Sequence, residues 1–256
     1  MASNLASMVR NLHQRKGRKR HRLVLAEGIR LVEEALAAGL EIQGAIIAPS
    51  LPKTERGAAL LSALAAHAVP LEELGQRAFA TLAETETPQG ILAVVTPRQW
   101  TLADLEPHRR GPVLVLDAVQ DPGNVGTLLR TAFALGAAGS ILLPGTADVT
   151  NPKVTRAAMG ATFRLPAPSA DDAAFAHWVS EREVRLWAAA SEGTPVGRLA
   201  IPERLALVVG NEGGGIRAEI LGLAADRVAI PLARGAESLN VAVAAGILLH
   251  EVTRAS

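Results

Sequence analysis

The sequence predicts an α/β protein of two domains, on three observations. The length, 256 residues, is more than one ordinary domain comfortably holds. Short apolar runs alternate with stretches of helical periodicity. One segment, Pro97 to Pro112, breaks that rhythm with Pro107, His108, Arg109, Arg110 and Gly111 between two apolar strands. The expected division is a smaller domain over 1–97, a linker over 98–111 and a second domain over 112–256. With 49% hydrophobic and 20% charged residues the chain can bury enough apolar surface to offset its ordering entropy, which excludes global disorder.

In the first domain a helix is expected from about Ser3 to Gln14, with Leu5, Met8, Val9 and Leu12 on one face. It runs into a basic stretch: Arg10 to Arg22 holds seven Lys/Arg, and no Asp or Glu occurs before Glu27. Such a run creates a local positive field whose natural partners are phosphates or an anionic surface, with a solvated tail as the alternative. Its candidate contacts are Arg15, Lys16, Arg18, Lys19, Arg20 and Arg22. Leu23 to Ala26 reads as a strand, and Ile29 to Ala38 as a helix closed by Gly39. A strand at Ile42 to Ala48, a helix at Gly57 to His67, a short strand near Val69, a helix near Glu72 to Ala78 and a strand at Gly90 to Val95 complete the unit.

The second domain opens with Val113 to Asp117, a continuous apolar run bounded by Gly-Pro, which reads as a parallel-sheet strand buried on both faces. Next come a helix from Asn124 to Leu135 ended by Gly136, a strand at Ser140 to Leu143 and a helix near Asn151 to Gly160. Strands at Arg185 to Ala189 and Leu205 to Val209, a helix near Arg217 to Ala224, a strand at Arg227 to Ile230 and a long helix from Leu239 to Arg254 follow. Alternation of this kind implies a parallel sheet with right-handed crossovers.

Composition narrows the chemistry. With Cys 0 there is no thiol nucleophile and no cysteine-based metal site. The six histidines (His13, His21, His67, His108, His177, His250) are scattered without metal-ligand spacing, so no metal is expected. Tyr 0 and 3% aromatic residues disfavour a stacking platform for single-stranded bases. No secretory leader is visible, and the longest apolar stretch, Val241 to Leu249, is too short to span a membrane. Cytoplasm is the default expectation, an organelle transit segment the alternative.

Three loops could carry chemistry, each at the carboxyl end of an apolar strand, where open α/β sheets collect ligands. The first is Asp121-Pro122-Gly123-Asn124-Val125-Gly126, with Arg130 two turns into the helix that follows. It fits neither G-x-G-x-x-G nor a P-loop, and Asn124 reads equally as an N-cap. The second, Gly210-Asn211-Glu212-Gly213-Gly214-Gly215, has the backbone freedom for close ligand approach, or is simply mobile. The third runs from Ile230 to Asn240, where Ser238 and Asn240 are both credible N-caps. Together the three converge on one pocket.

These segments resemble the three motifs of the SpoU/TrmH RNA 2′-O-ribose methyltransferases of the SPOUT superfamily. Asn124-Val125-Gly126 with Arg130-Thr131-Ala132 is similar to the first motif, Val209-Gly210-Asn211-Glu212-Gly213 to the second, and Ile230-Pro231 with Glu237-Ser238-Leu239-Asn240-Val241 to the third. Asn151-Pro152-Lys153-Val154 with Arg156-Ala157-Ala158-Met159-Gly160 also looks like the family, although many members carry a serine near Ala157-Ala158. Upstream, Arg18 to Leu36 resembles the start of the substrate-binding domain of many members. The resemblance implies an L30e-like RNA-binding domain, a catalytic α/β domain with a deep trefoil knot, a homodimer and S-adenosylmethionine as methyl donor. It implies ribosomal RNA rather than transfer RNA as substrate; a catalytically silent RNA-binding assembly factor and a transfer RNA methyltransferase are the alternatives.

The implied site residues are Asn124, Arg130, Glu212, Ser238 and Asn240 for catalysis, and Gly210, Asn211, Gly213, Ile230, Leu232 and Leu239 for the cofactor. Methyl transfer is an in-line displacement whose leaving group departs neutral, so the enzyme must supply alignment and a fate for the 2′-OH proton. The resemblance puts Arg130 at that hydroxyl. An arginine is a poor base, so it acts either as a base activated by RNA phosphate or as a cation stabilising the developing alkoxide.

Overall fold

A computed structural model describes residues 2–108, 111–234 and 238–254. Arg109 and Arg110 of the linker, and Gly235, Ala236 and Glu237 of the third loop, lie outside the described residues. The chain forms two compact units, residues 1–98 with 150–163, and 99–149 with 164–256. It therefore passes between units at three places, where the linear reading has one crossing.

The first unit is built on strands β1 (Val24–Glu27), β2 (Ile42–Ile47), β3 (Leu71–Glu73) and β4 (Ile91–Val95), ordered β1-β4-β2-β3. The β1/β4 and β2/β4 pairs are antiparallel and the β2/β3 pair is parallel. Because side chains alternate along a strand, Val24, Ala26, Ile91, Ala93 and Val95 pack with α3 (Ile29–Ala37) and α4 (Glu55–Ala66) in one apolar cluster. Leu25, Leu92 and Val94 pack in another with Val9 and Leu12 of α1 (Ala2–His13) and Phe79 of α5 (Gln76–Ala80). The expected face of α1 is thus core, with Val9 and Leu12 fully buried. Gly39 takes the left-handed φ of +66° expected of a helix stop.

The basic run is itself a helix, α2 (Arg15–His21), closed by Arg22 in a left-handed conformation whose N–H donates to the Arg18 carbonyl. The strand expected near Val69 lies at Leu71–Glu73, inside the stretch read as a helix start, and α5 begins only at Gln76. Leu-Glu-Glu has helical propensity, but pairing with β2 outweighs it. Helix α7 (Pro152–Ala158) and Phe163 also belong to this unit, with Phe163 1% exposed in the cluster under α3 and α4.

The second unit contains an all-parallel five-stranded sheet of β5 (Val113–Leu116), β6 (Gly139–Leu142), β7 (Arg185–Pro195), β8 (Leu205–Val209) and β9 (Asp226–Ala229), ordered β6-β5-β8-β7-β9. Strands β5, β6 and β8 are buried at every position, as a sheet covered on both faces requires. One face packs against Phe175 and Trp178 of α8 (Asp172–Glu181) and Ile220 of α9 (Ala218–Leu221). Helices α6 (Pro122–Ala134) and α10 (Val241–Arg254) pack against each other, α10 also against β8. The sequence reading missed α8, although Asp171 caps it and Phe175, Trp178 and Val179 follow helical spacing.

Candidate active site

The site grows from three strand ends of the second unit. At the first, Asp121 caps α6 by accepting the N–H of Asn124 at 2.8 Å, and Pro122 occupies the first turn, where its missing N–H costs nothing. Asn124 is therefore not the cap. Its side chain is free for other work, and its Nδ2 donates to Glu212 Oε1 at 2.6 Å.

At the third strand end, Asn240 Oδ1 accepts the N–H groups of Ala242 and Val243, capping α10, while its Nδ2 donates to Asn124 Oδ1 at 3.1 Å. The direction of this relay is forced. Backbone N–H groups only donate, which fixes the Asn240 oxygen toward α10 and its NH2 toward Asn124. The Asn124 oxygen is then an acceptor and its NH2 must face Glu212. One residue from each motif is thereby joined into a single polar chain running Asn240, Asn124, Glu212.

At the second strand end the glycine loop folds back on itself. Asn211 and Gly215 exchange backbone hydrogen bonds at 2.9 Å, and Asn211 Oδ1 accepts the N–H groups of Gly213 and Gly214. Asn211 Nδ2 donates to the Ala118 carbonyl just beyond β5, at 3.0 Å. Gly210 has no room for a side chain: a Cβ there would lie 2.3 Å from the Gly215 carbonyl carbon. Gly215 takes φ +67°, where glycine is unstrained.

A cavity of about 720 Å3 opens beside these loops, a size usual for a cofactor pocket. Gly210, Asn211, Glu212, Ile230, Leu232, Ser238, Leu239 and Asn240 all line it. Gly213 does not, although its amide helps fold the loop. Ala189, Ala190 and Ser191 of β7 also line it and were not foreseen, because a strand read to stop at Ala189 gives no sign of the irregular pairing beyond it. Asn124 borders a second hollow of about 420 Å3 between α6 and α10. Arg130 lines neither cavity. It is exposed on the outer face of α6, while Val125, Leu128, Leu129 and Ala132 are buried.

The predicted phosphate contacts lie in the first unit. Arg15, Lys16, Lys19, Arg20 and Arg22 are exposed along and just after α2. Arg18 is 5% exposed, and its guanidinium donates to the carbonyls of Leu12 and His13 and to Thr150 Oγ1. Nearby, buried Glu27 accepts from the N–H groups of Glu84 and Thr85 and from Arg156. Burial of Glu84 would raise its pKa, but hydrogen bonds and charge from His13 and Arg156 outweigh that and hold it below the usual carboxylate value.

Residues 111–250 match the family model described as "SpoU rRNA Methylase family", and residues 7–93 the model "MRM3-like substrate binding domain". The chain is 37% identical over 244 residues to the 23S rRNA (guanosine(2553)-2′-O)-methyltransferase RlmP of Bacillus subtilis, covering 95% of this chain and 93% of that protein. Its structure is similar to an AdoMet-bound rRNA methyltransferase from Sinorhizobium meliloti, with a TM-score of 0.86, 32% identity and coverage of 98% and 95% of the two chains. It is also similar to the SpoU methyltransferase AviRb from Streptomyces viridochromogenes in complex with AdoMet, with a TM-score of 0.87, 26% identity and 98% of each chain covered.

Proposed function

The chain belongs to the SpoU rRNA methylase family, and from that premise we propose that it transfers a methyl group from S-adenosylmethionine to a ribose 2′-OH of ribosomal RNA. The observation that carries this is the Asn240–Asn124–Glu212 relay at a cavity of cofactor size. The lining suits the donor: Ile230, Leu232 and Leu239 offer apolar walls for an adenine, and Asn211, Glu212 and Ser238 offer polar groups for a ribose and a zwitterionic tail.

When bound, S-adenosylmethionine supplies an electrophilic methyl on a sulfonium whose bonding pair returns to sulfur as the new O–C bond forms. The protein has to orient the hydroxyl and manage its proton. Asn124, locked by its two neighbours, presents a fixed amide beside the cavity. Arg130 stabilises the oxygen as its proton passes to solvent water.

Arg130 stands outside the cavity of its own chain, and we assign it to the cavity of a second copy. The same helix pair leaves Phe133 42%, Val243 52% and Ile247 38% exposed, an apolar face that a second copy of this chain would cover. Residues 112–256 would form the catalytic domain, with the deep trefoil knot that the family implies. Residues 1–97 would form an L30e-like substrate domain joined by 98–111, in which Arg15, Lys16, Lys19, Arg20 and Arg22 meet RNA phosphates while Arg18 holds α2 in place. Among the described residues no helix is long and apolar enough to cross a membrane, and the proposed location is the cytoplasm.

The test is methyl incorporation into ribosomal RNA by the purified protein with labelled S-adenosylmethionine, followed by mapping of 2′-O-methyl sites. A single ribose-methylated position is expected. Methylation found only in transfer RNA, or none with cofactor bound, would refute the substrate or the activity respectively.

A further inference from the structure

Asp117 and Arg217 were not foreseen and have no part in the relay or the cavity wall, yet they form a 2.7 Å ion pair around a fully buried carboxylate. Asp117 is 0% exposed at the carboxyl end of β5. A buried carboxylate is costly unless its oxygens are paired. Here both are: Oδ2 accepts the Arg217 backbone N–H at 2.7 Å, and Oδ1 accepts Arg217 Nε at 2.7 Å. The outer edge of the guanidinium then grips Asp172, at the start of α8, in a two-pronged pair at 2.8 and 2.7 Å. The hydrogen bond to Asp172 raises the Arg217 pKa above its ordinary value; burial opposes that rise, and the hydrogen bond and charge of Asp117 add to it.

The position of the pair gives it meaning. The glycine loop spans 210–216 and has two feet. Asn211 ties the first to the Ala118 carbonyl, and the Arg217 N–H ties the second to Asp117. Both anchors are consecutive residues at one strand end. Between the feet, Gly213, Gly214 and Gly215 would otherwise sample a wide range of backbone conformations. The geometry points to Arg217 as a positioning residue for the cofactor: with Asp117 and Asp172 it pins the glycine loop that forms one wall of the cavity, without touching the ligand. This rests on the reading that the cavity takes S-adenosylmethionine, and it adds a cause for the loop being ready-made before the ligand arrives.

The experiment uses the full chain and three variants, Arg217→Gln, Arg217→Lys and Asp172→Asn. S-adenosylhomocysteine affinity is measured by calorimetry, the S-adenosylmethionine KM and the kcat from methyl transfer to ribosomal RNA, and folding from thermal midpoints. Binding by the wild type is the control on the cofactor reading, and its absence would remove the basis of the proposal as well. With binding present, Arg217→Gln should raise the cofactor KM by about tenfold or more while kcat at saturating cofactor stays within about twofold. Arg217→Lys, which can still reach Asp117, should recover part of that loss. Asp172 is a surface carboxylate, so Asp172→Asn should fold normally and raise KM by about threefold; it carries the test if Arg217→Gln fails to fold. Unchanged KM in the folded variants, or an equal fall in kcat and kcat/KM, would overturn the assignment.

Discussion

Arg130 sits on the outer face of α6, nearly two turns beyond Asn124, and the proposed function gives it a role separate from that of the glycine loop. Arg130→Ala should abolish methyl transfer and leave cofactor affinity within a few-fold, as turnover and calorimetry would show. Gly210→Ala should do the reverse, because its Cβ would collide with Gly215 backbone at 2.3 Å and force the loop open. Glu84 makes a different prediction. Its pKa is lowered on folding from an ordinary 4.5, so its contribution to stability is complete above that value and is lost as pH falls through the lowered one. Acid unfolding of Glu84→Gln should accordingly show a shallower pH dependence than the wild type below about pH 4.5. Residue types at the motifs were legible: Asn124, Glu212 and Asn240 were named from sequence and meet in space. Their pairing was not, because Asn124 fits an N-cap equally well until Asp121 is seen to hold that place. Nor was the burial of Arg18, one cation among seven whose guanidinium finds carbonyls only after α1 and α2 fold together.

Elements with strong periodicity or continuous apolar runs were readable to within a residue or two, as with β4, β5, β8 and α3. Those fixed by partners were not. β3 exists because β2 offers it an edge, and its own Leu71-Glu72-Glu73 leans toward a helix. Of all the elements, α2 carries the sharpest test. If its outer face meets phosphates, RNA affinity should fall steeply with salt, and neutralising Arg15, Lys16, Lys19 and Arg20 together should reduce the slope of log affinity against log salt by up to about four. Arg18→Met should instead lower the thermal midpoint with little change in that slope. An unchanged slope in the fourfold variant would return the run to a solvated face.

For the whole molecule the proposal makes the dimer a condition of activity. Light scattering at micromolar concentration should report twice the mass of one chain, 26.7 kDa. Val243→Asp, at a position 52% exposed, should give a folded monomer that binds cofactor and transfers nothing, since Arg130 would then have no partner cavity to serve. An active monomer would refute the trans assignment. The break at Pro97 to Pro112, where the alternation of strands and helices is interrupted, was visible in the sequence. The return of residues 150–163 to the first unit was not, because its signals, Pro152 opening a short helix and Phe163 seeking a core, say nothing about which core.

That return has a consequence for biosynthesis. The first unit does not own all of its core until Phe163 has been made, and Glu27 gains its Arg156 partner only shortly before that. At about 5–20 residues per second, a chain emerging N-terminus first carries a sheet, helices and an uncovered apolar patch for several seconds while the start of the second unit is translated. A nascent chain stalled at residue 110 should be more open to protease and to chaperone capture than one stalled beyond residue 200. The last helix turn to complete the first unit thus arrives from the far side of a segment whose main business lies elsewhere.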